Sequence, residues 1–375
     1  MTNLEYGYNV PALKGMDFNE IQTPCLIIDL EIFKRNIELM KQFTLKNNVN
    51  LRPHAKMHKS VEVSKYQIKY GNAQGICCQK LSEAEVFVRS GIKDVLITNQ
   101  ICDPIKIDRL CKINKSDAEI SFCVDNFVIL KNIQTIAFQN NVKLKLFIEL
   151  ECGAQRCGVD DTSEIKKMIN FIQKSSQLTL SGFHAYNGSN QHIINHEERM
   201  NSVNKTNSKI QNILKYFELS DLIVTGGGTG CFEDETRKNL YNEIQVGSYA
   251  FMDVHYSRLN KIRSDIIFEN SLFILTSVIS ISKSNFSVVD AGLKSMSVDS
   301  GLPVVYKNDN LKYVSCSDEH GIIEDNENCL KLNDKLKLIP GHCDPTCNLH
   351  DWYVVINKAG KVFDLWEISA RGFSL

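Results

Sequence analysis

Two textures alternate between residues 48 and 250. Short β-rich apolar runs recur at Asn48–Ala55, Gln74–Cys78, Asp94–Asn99, Glu119–Val124, Lys143–Leu150, Thr179–Ala185, Leu222–Thr225 and Glu243–Gly247. Amphipathic segments lie between them, among them Leu81–Arg89, Pro104–Ile113, Phe127–Gln139, Ser163–Lys174 and Glu197–Tyr216. Apolar residues every three or four positions give a helix one buried face, while a short apolar run suits a strand covered on both sides. Eight such β/α units predict a (β/α)8 barrel in preference to an open doubly wound sheet, although periodicity alone does not establish closure.

After Asp253 the helical spacing stops. Leu272–Ile281, Phe286–Val289, Leu311–Cys316, Leu336–Leu338, Trp352–Ile356 and Val362–Leu365 read as short strands without helices. Turn signals such as Asn308-Asp309-Asn310 and Lys358-Ala359-Gly360 separate them. The expected organisation is a barrel over 24–255 and an all-β domain over 256–375, with residues 1–23 packing on the latter.

Composition narrows the function classes. The 43 basic and 44 acidic residues leave a net charge of −1, which gives no reason to expect a nucleic-acid or polyanion partner. Met1–Met16 lacks the basic start and apolar run of a signal peptide, and Ser271–Ile281 is too short to span a bilayer. A soluble cytoplasmic protein with no membrane partner is expected. The thirteen cysteines are odd in number, scattered and without a Cys-x-x-Cys pair, so they are expected to be reduced thiols acting as small hydrophobes.

The chemistry concentrates in two places. Arg52-Pro53-His54-Ala55-Lys56-Met57-His58-Lys59 closes the first barrel strand. A lysine at a strand's C-terminal end faces the barrel mouth, where desolvation can make it a nucleophile for a carbonyl. A plain basic surface patch is the alternative. Lys56 lies at the strand end, and Lys59 is expected to open the next helical segment and face solvent or an anion. Opposite Lys56 fall Thr225–Gly230 after the seventh strand and Gly247-Ser248-Tyr249 after the eighth. Glycines let backbone N–H groups converge on an anion, and Thr229 and Ser248 add hydroxyl donors. A lysine facing an anion cup describes a phosphorylated carbonyl cofactor, with pyridoxal 5'-phosphate the leading candidate. The second place is Pro340-Gly341-His342-Cys343-Asp344-Pro345. In an extended segment His342 and Asp344 share a face and Cys343 points away, giving a donor pair suited to Mg, Mn, Co or Zn. A purely structural His-x-Asp pair is the competing reading.

With these motifs in hand the chain resembles fold-type-III pyridoxal-phosphate enzymes with an alanine-racemase-like barrel, specifically the metal-dependent D-threonine aldolase and D-serine dehydratase group. The resemblance rests on Thr23–Leu26, Arg52–Lys59, Leu81–Glu85, Arg156–Val159, Thr225–Gly230, Gly247–Asp253, Val289–Gly292, Ser317–Gly321 and Pro340–Asp344. Cys77–Lys80, Ser297–Pro303 and Gly341–Asp351 bring it toward the branch that cleaves 3-hydroxyaspartate. The resemblance implies that Lys56 is the Schiff-base lysine and that His342 and Asp344 are divalent-metal ligands. It implies cofactor contacts from Gln79, Arg156, Tyr186, Thr229, Gly247, Ser248 and Tyr256. It also implies a homodimer, to which Asp318, Glu319 and His320 could contribute across the interface.

The implied reaction splits the Cα–Cβ bond of a D-3-hydroxy amino acid. Glycine is one product, and the other is glyoxylate from 3-hydroxyaspartate or acetaldehyde from threonine. His58 is the candidate base, with a water on the metal as the alternative. Arg52, Arg258, Lys59 and Arg371 are the candidates for a substrate's distal carboxylate. Asp344 favours the aldolase over the dehydratase, which tends to carry Cys at that position. A metal-only hydrolase would draw on His54, His58, His184 and His192 instead.

Overall fold

The computed structural model describes residues 4–115, 118–218, 222–259 and 266–375. Cys25–Asp29 forms β1 and Leu30–Asn47 forms α1. The barrel strands follow as β2 (Asn50–Leu51), β3 (Ile76–Cys78), β4 (Asp94–Gln100), β5 (Glu119–Val124), β6 (Leu144–Glu149), β7 (Leu178–Ala185), β8 (Ile223–Gly226) and β9 (Glu243–Ile244). Between them run α2 (Val61–Gly71), α3 (Leu81–Arg89), α4 (Pro104–Ile113), α5 (Phe127–Asn140), α6 (Thr162–Gln173), α7 (His196–Leu214) and α8 (Phe232–Thr236).

Local sequence fixes where these helices begin. The side chains of Asp29, Asp103, Asn126 and Asp161 accept first-turn N–H groups of α1, α4, α5 and α6. Each satisfies donors that the helix itself leaves unpaired. Asn48 and Asn141 end α1 and α5 in the left-handed region, which asparagine tolerates.

The eight parallel strands run in the order β2-β9-β8-β7-β6-β5-β4-β3. Gln74 N donates to Leu51 O at 2.9 Å and Cys77 N to Pro53 O at 2.8 Å, joining the two ends and closing the barrel. Alternation along the strands sends Cys77, Leu96, Cys123 and Phe147 inward as one filled layer, so two cysteines serve as small packing groups. The opposite faces pack beneath the helices. On the barrel's other end Arg52 is buried, with its guanidinium on Asp94 at 2.6 and 3.0 Å and on Glu243 at 2.9 Å. This ties β2, β4 and β9 together.

The second sheet holds β10 (Leu272–Lys283), β11 (Phe286–Val289), β12 (Val304–Val305), β13 (Leu311–Cys316), β14 (Gly321–Asp325), β15 (Lys335–Ile339), β16 (Trp352–Ile356) and β17 (Val362–Glu367). Its order is β13-β14-β11-β10-β1-β16-β17, with β15 between β10 and β12. Here the expected organisation needs correction. β1 is antiparallel to β10 and parallel to β16, so Cys25–Asp29 belongs to this sheet although it precedes the barrel. Its all-apolar run Cys25-Leu26-Ile27-Ile28 suits a central strand of either sheet, and pattern alone does not say which. The region also contains helices, α9 (Val254–Ser257) and α10 (Cys343–Cys347). Phe33, Phe251, Tyr353 and Trp366 share one apolar cluster that joins barrel and sheet. No helix among the described residues is long and apolar enough to cross a membrane.

Candidate active site

A cleft of about 520 Å³ opens at the C-terminal end of the barrel strands. It brings together Lys56, Gln79, Arg156, Tyr186, Thr229, Gly247, Ser248, Tyr256 and Asp344. His54, Thr98, His184, Gly228 and Gln245 complete much of its wall.

Lys56 projects from the turn after β2, its Nζ 3.5 Å from Asp344 Oδ2. Burial in the cleft works against the ammonium, but Asp344 and Tyr186 outweigh it and hold the pKa above the ordinary lysine value. His54 stands behind the lysine, with Nε2 2.9 Å from Thr98 Oγ1. Burial and the adjacent Lys56 push its pKa far down, so it is a neutral imidazole.

The glycine turn after β8 is shaped by its backbone. Gly227 lies in the left-handed region at φ +79°. Gly228 N donates to Glu235 Oε2 at 3.2 Å. Beside it, Thr229 Oγ1 is buried without a hydrogen-bond partner among the described groups. An orphaned hydroxyl in a cleft wall that also carries the Ser248 hydroxyl offers donors to a phosphate. The cleft therefore fits pyridoxal 5'-phosphate, with Lys56 for its aldehyde and this cup for its anion.

On the floor, burial works against the Glu149 charge, yet His184, Gln100 and Arg156 hold its pKa below the usual range. Cys123, Glu149 and His184 form the one group of three metal-type donors found among the described residues. Burial pushes the Cys123 thiol far up, and Glu149 is already engaged by Gln100. A thiol that resists ionisation is a poor ligand, so this group reads as packed floor.

Of the second donor pair Asp344 lines the cleft, and the loop that carries both residues is anchored by Asp253. That buried carboxylate accepts Tyr256 N and Cys343 N, both at 2.9 Å, joining the N-terminal turns of α9 and α10. Val254 N and His255 N bond Pro340 O and Gly341 O. His342 Nε2 and Asp344 Oδ1 face each other 3.8 Å apart, a gap that one cation bound to both can bridge. The extended geometry expected for this motif is not what forms. His342 is extended, but Asp344 sits in the first turn of α10, where acidic residues and proline are both favoured. Cys343 is fully buried, as expected of a packing residue.

Several residues lie elsewhere than expected. His58 is fully buried outside the cleft lining, its Nδ1 accepting Ser60 N at 3.0 Å. Burial pushes its pKa down to about 3, and it has no access to a reacting bond. Of the two alternatives for Lys59 the anion is the one found: its Nζ is buried against the Glu83 carboxylate at 2.9 Å. Asp318, Glu319 and His320 occupy the exposed turn between β13 and β14, outside their own chain's cleft. One imidazole, by sequence a ligand candidate for a metal-only hydrolase, takes a different place. His192 Nδ1 is 3.1 Å from His255 Nε2, and burial, then His255, His342 and Lys56, lower its pKa. His192 follows β7 and His255 follows β9, so only the closed barrel brings them together.

This arrangement defines a class: a parallel barrel with a lysine and an anion cup at its mouth, completed by a β domain that delivers a metal-type pair. Residues 28–255 match the alanine racemase N-terminal domain, and residues 271–356 match a putative serine dehydratase domain. The chain is 47% identical to a 3-hydroxy-D-aspartate aldolase of Paracoccus denitrificans (strain Pd 1222), over 98% of this chain and 97% of the relative. It is 38% identical to a D-threonine aldolase of Arthrobacter sp, over 97% and 96% respectively. Among solved structures, the D-threonine aldolase from Filomicrobium marinum superposes with a TM-score of 0.93 at 33% identity, covering 98% of this chain and 100% of that one. The chain belongs to the family of 3-hydroxy-D-aspartate and D-threonine aldolases built on the alanine-racemase barrel.

Proposed function

We propose that the protein is a carbon–carbon lyase that splits 3-hydroxy-D-aspartate into glycine and glyoxylate, using pyridoxal 5'-phosphate and a divalent metal. The observation that carries this reading is the approach of Lys56 Nζ to Asp344 Oδ2 at 3.5 Å, with His342 on that carboxylate's other side. The lysine placed for an aldehyde and the metal-type pair thus meet at Asp344. Pyridoxal phosphate, when bound, offers an aldehyde to the substrate amine and withdraws the electron pair left at Cα. His342 and Asp344 would hold a divalent cation, which would make the substrate's 3-hydroxyl easier to deprotonate.

The chain's own groups do the rest. Thr229, Gly247 and Ser248 hold the phosphate end, while Gln79, Arg156, Tyr186 and Tyr256 wall the ring. Lys56 returns a proton to Cα. His192, neutral at pH 7 and beside His342, takes the hydroxyl proton in the role first expected of His58. Of the four cations considered for the distal carboxylate, Arg52, Lys59 and Arg371 are paired with Asp94, Glu83 and Asp351. Arg258 is exposed and shows no acidic partner among the described residues, and its guanidinium lies over Gly301, at the rim beside His342. It is the cation we assign to that carboxylate. A homodimer belongs to the same reading, with the exposed Asp318–His320 turn available to a second copy.

The test is product analysis with purified, cofactor-loaded protein. Glycine and glyoxylate in equal amounts support the proposal. Ammonia with a 2-oxo acid would replace it with a dehydratase, and a preference for D-threonine would replace the substrate.

A further inference from the structure

His342 can offer Nε2 to a cation only if its other nitrogen carries the proton and its ring is held against rotation. Its contact with Asp344 is too long for a hydrogen bond, so that carboxylate does neither. Asp299 does both. Its Oδ2 lies 2.8 Å from His342 Nδ1, which places an acceptor at the nitrogen that must stay protonated. The Asp299 carboxylate is itself held. Ser297 Oγ donates to Oδ1 at 2.7 Å and Ser300 Oγ to Oδ2 at 3.0 Å. The loop is fastened to α10 as well, through Ser297 N to Thr346 Oγ1 at 3.1 Å and Thr346 Oγ1 to His342 O at 2.7 Å. On its far side a Cβ at Gly341 would lie 2.1 Å from Gly301 O, so the two strands of chain meet at a distance only glycine allows.

We infer that Asp299 is a positioning residue for the metal site, fixing the tautomer and plane of His342 so that Nε2 faces Asp344. This rests on the reading of His342 and Asp344 as the metal pair. A carboxylate behind a ligating imidazole fixes its tautomer and raises its basicity, and its loss typically costs about 10- to 100-fold in metal affinity. A stabilising role alone does not account for the arrangement. Asp299 and His342 keep 48% and 26% of their side-chain surface exposed, and pairs that open to water add little to stability.

The test is titration of the pyridoxal-phosphate-loaded protein with Mn²⁺, read by calorimetry and by the electron paramagnetic resonance of free Mn²⁺. The wild type should bind one ion per chain, and His342→Ala should abolish that site. Asp299→Asn and Asp299→Ala should weaken it about 10- to 100-fold with the cofactor's visible band unchanged. Excess Mn²⁺ should restore their cleavage of 3-hydroxy-D-aspartate, which it could not do for a merely misfolded loop. Wild-type Mn²⁺ affinity in both Asp299 variants, with His342→Ala still defective, would overturn the inference and leave the metal reading standing. Wild-type affinity in His342→Ala would overturn both.

Discussion

Replacing Glu235 by glutamine should stabilise the protein, and by more as pH rises. Glu235 is fully buried in α8 beneath the glycine turn. It accepts Gly228 N through Oε2, while Oε1 has no hydrogen-bond partner among the described groups. Burial without a cation pushes its pKa from 4.5 up to about 8. In the unfolded chain the carboxyl ionises near 4.5, so between there and about 8 the folded state holds a proton that the unfolded state has released. Stability therefore falls as pH rises through that window and levels off above it. At about 1.4 kcal/mol per pH unit, the cost is about 3 kcal/mol at pH 7 and about 5 kcal/mol above pH 8. Glutamine keeps an acceptor for the Gly228 N–H and carries no charge to bury. Urea unfolding of both proteins at pH 5, 6, 7 and 8 reads the difference directly. The gap should be near zero at the acid end and open steadily in favour of the variant. A gap that stays constant with pH, or narrows, would refute the reasoning. A neutral Glu235 also keeps negative charge away from the turn assigned to the phosphate, so the variant should retain cleavage activity.

Other perturbations test the site. Lys56→Ala should lose the visible band of the bound aldehyde and at least about a thousandfold in rate, measured by absorbance and glyoxylate release. His192→Asn should slow cleavage by about 10²- to 10⁴-fold. It should also remove the fall in kcat/KM expected of the wild type in the acid range, below the ordinary imidazole value, where His192 gains its proton; a retained acid limb would point to another base. Arg258→Gln should lower kcat/KM for 3-hydroxy-D-aspartate by about 10- to 100-fold, the worth of one charge-assisted hydrogen bond, and leave D-threonine unaffected.

The barrel was legible because its signal is local. Each of the eight strands announces itself by an apolar run, and the longer helices α2 to α7 by their spacing and often by an Asp or Asn cap, whereas the five-residue α8 is too short to carry a period. Lys56 and the Gly226–Gly230 turn followed from strand order, since any residue just beyond a parallel barrel strand faces the mouth. What escaped was non-local. The membership of β1 depends on partners some 245 and 325 residues away in sequence, Ile274 and Val354 among them. His58 looked as exposed as Lys56 until the chain turned it under Phe251 and Tyr353. Asp253 and Asp299 sat in recognised motifs, but nothing in their spacing says that one caps α9 while also holding α10, or that the other backs His342. His192 was legible only as a ligand candidate for a metal-only hydrolase, because its relation to His255 exists only once the barrel is closed.

The central claim is that Lys56 and the His342–Asp344 pair serve one bond-breaking reaction. Steady-state cleavage of 3-hydroxy-D-aspartate by cofactor-loaded protein, before and after complete metal removal with EDTA, tests it most directly. Glyoxylate release should vanish with the metal and return with added Mn²⁺. Full activity in the metal-free protein would contradict it.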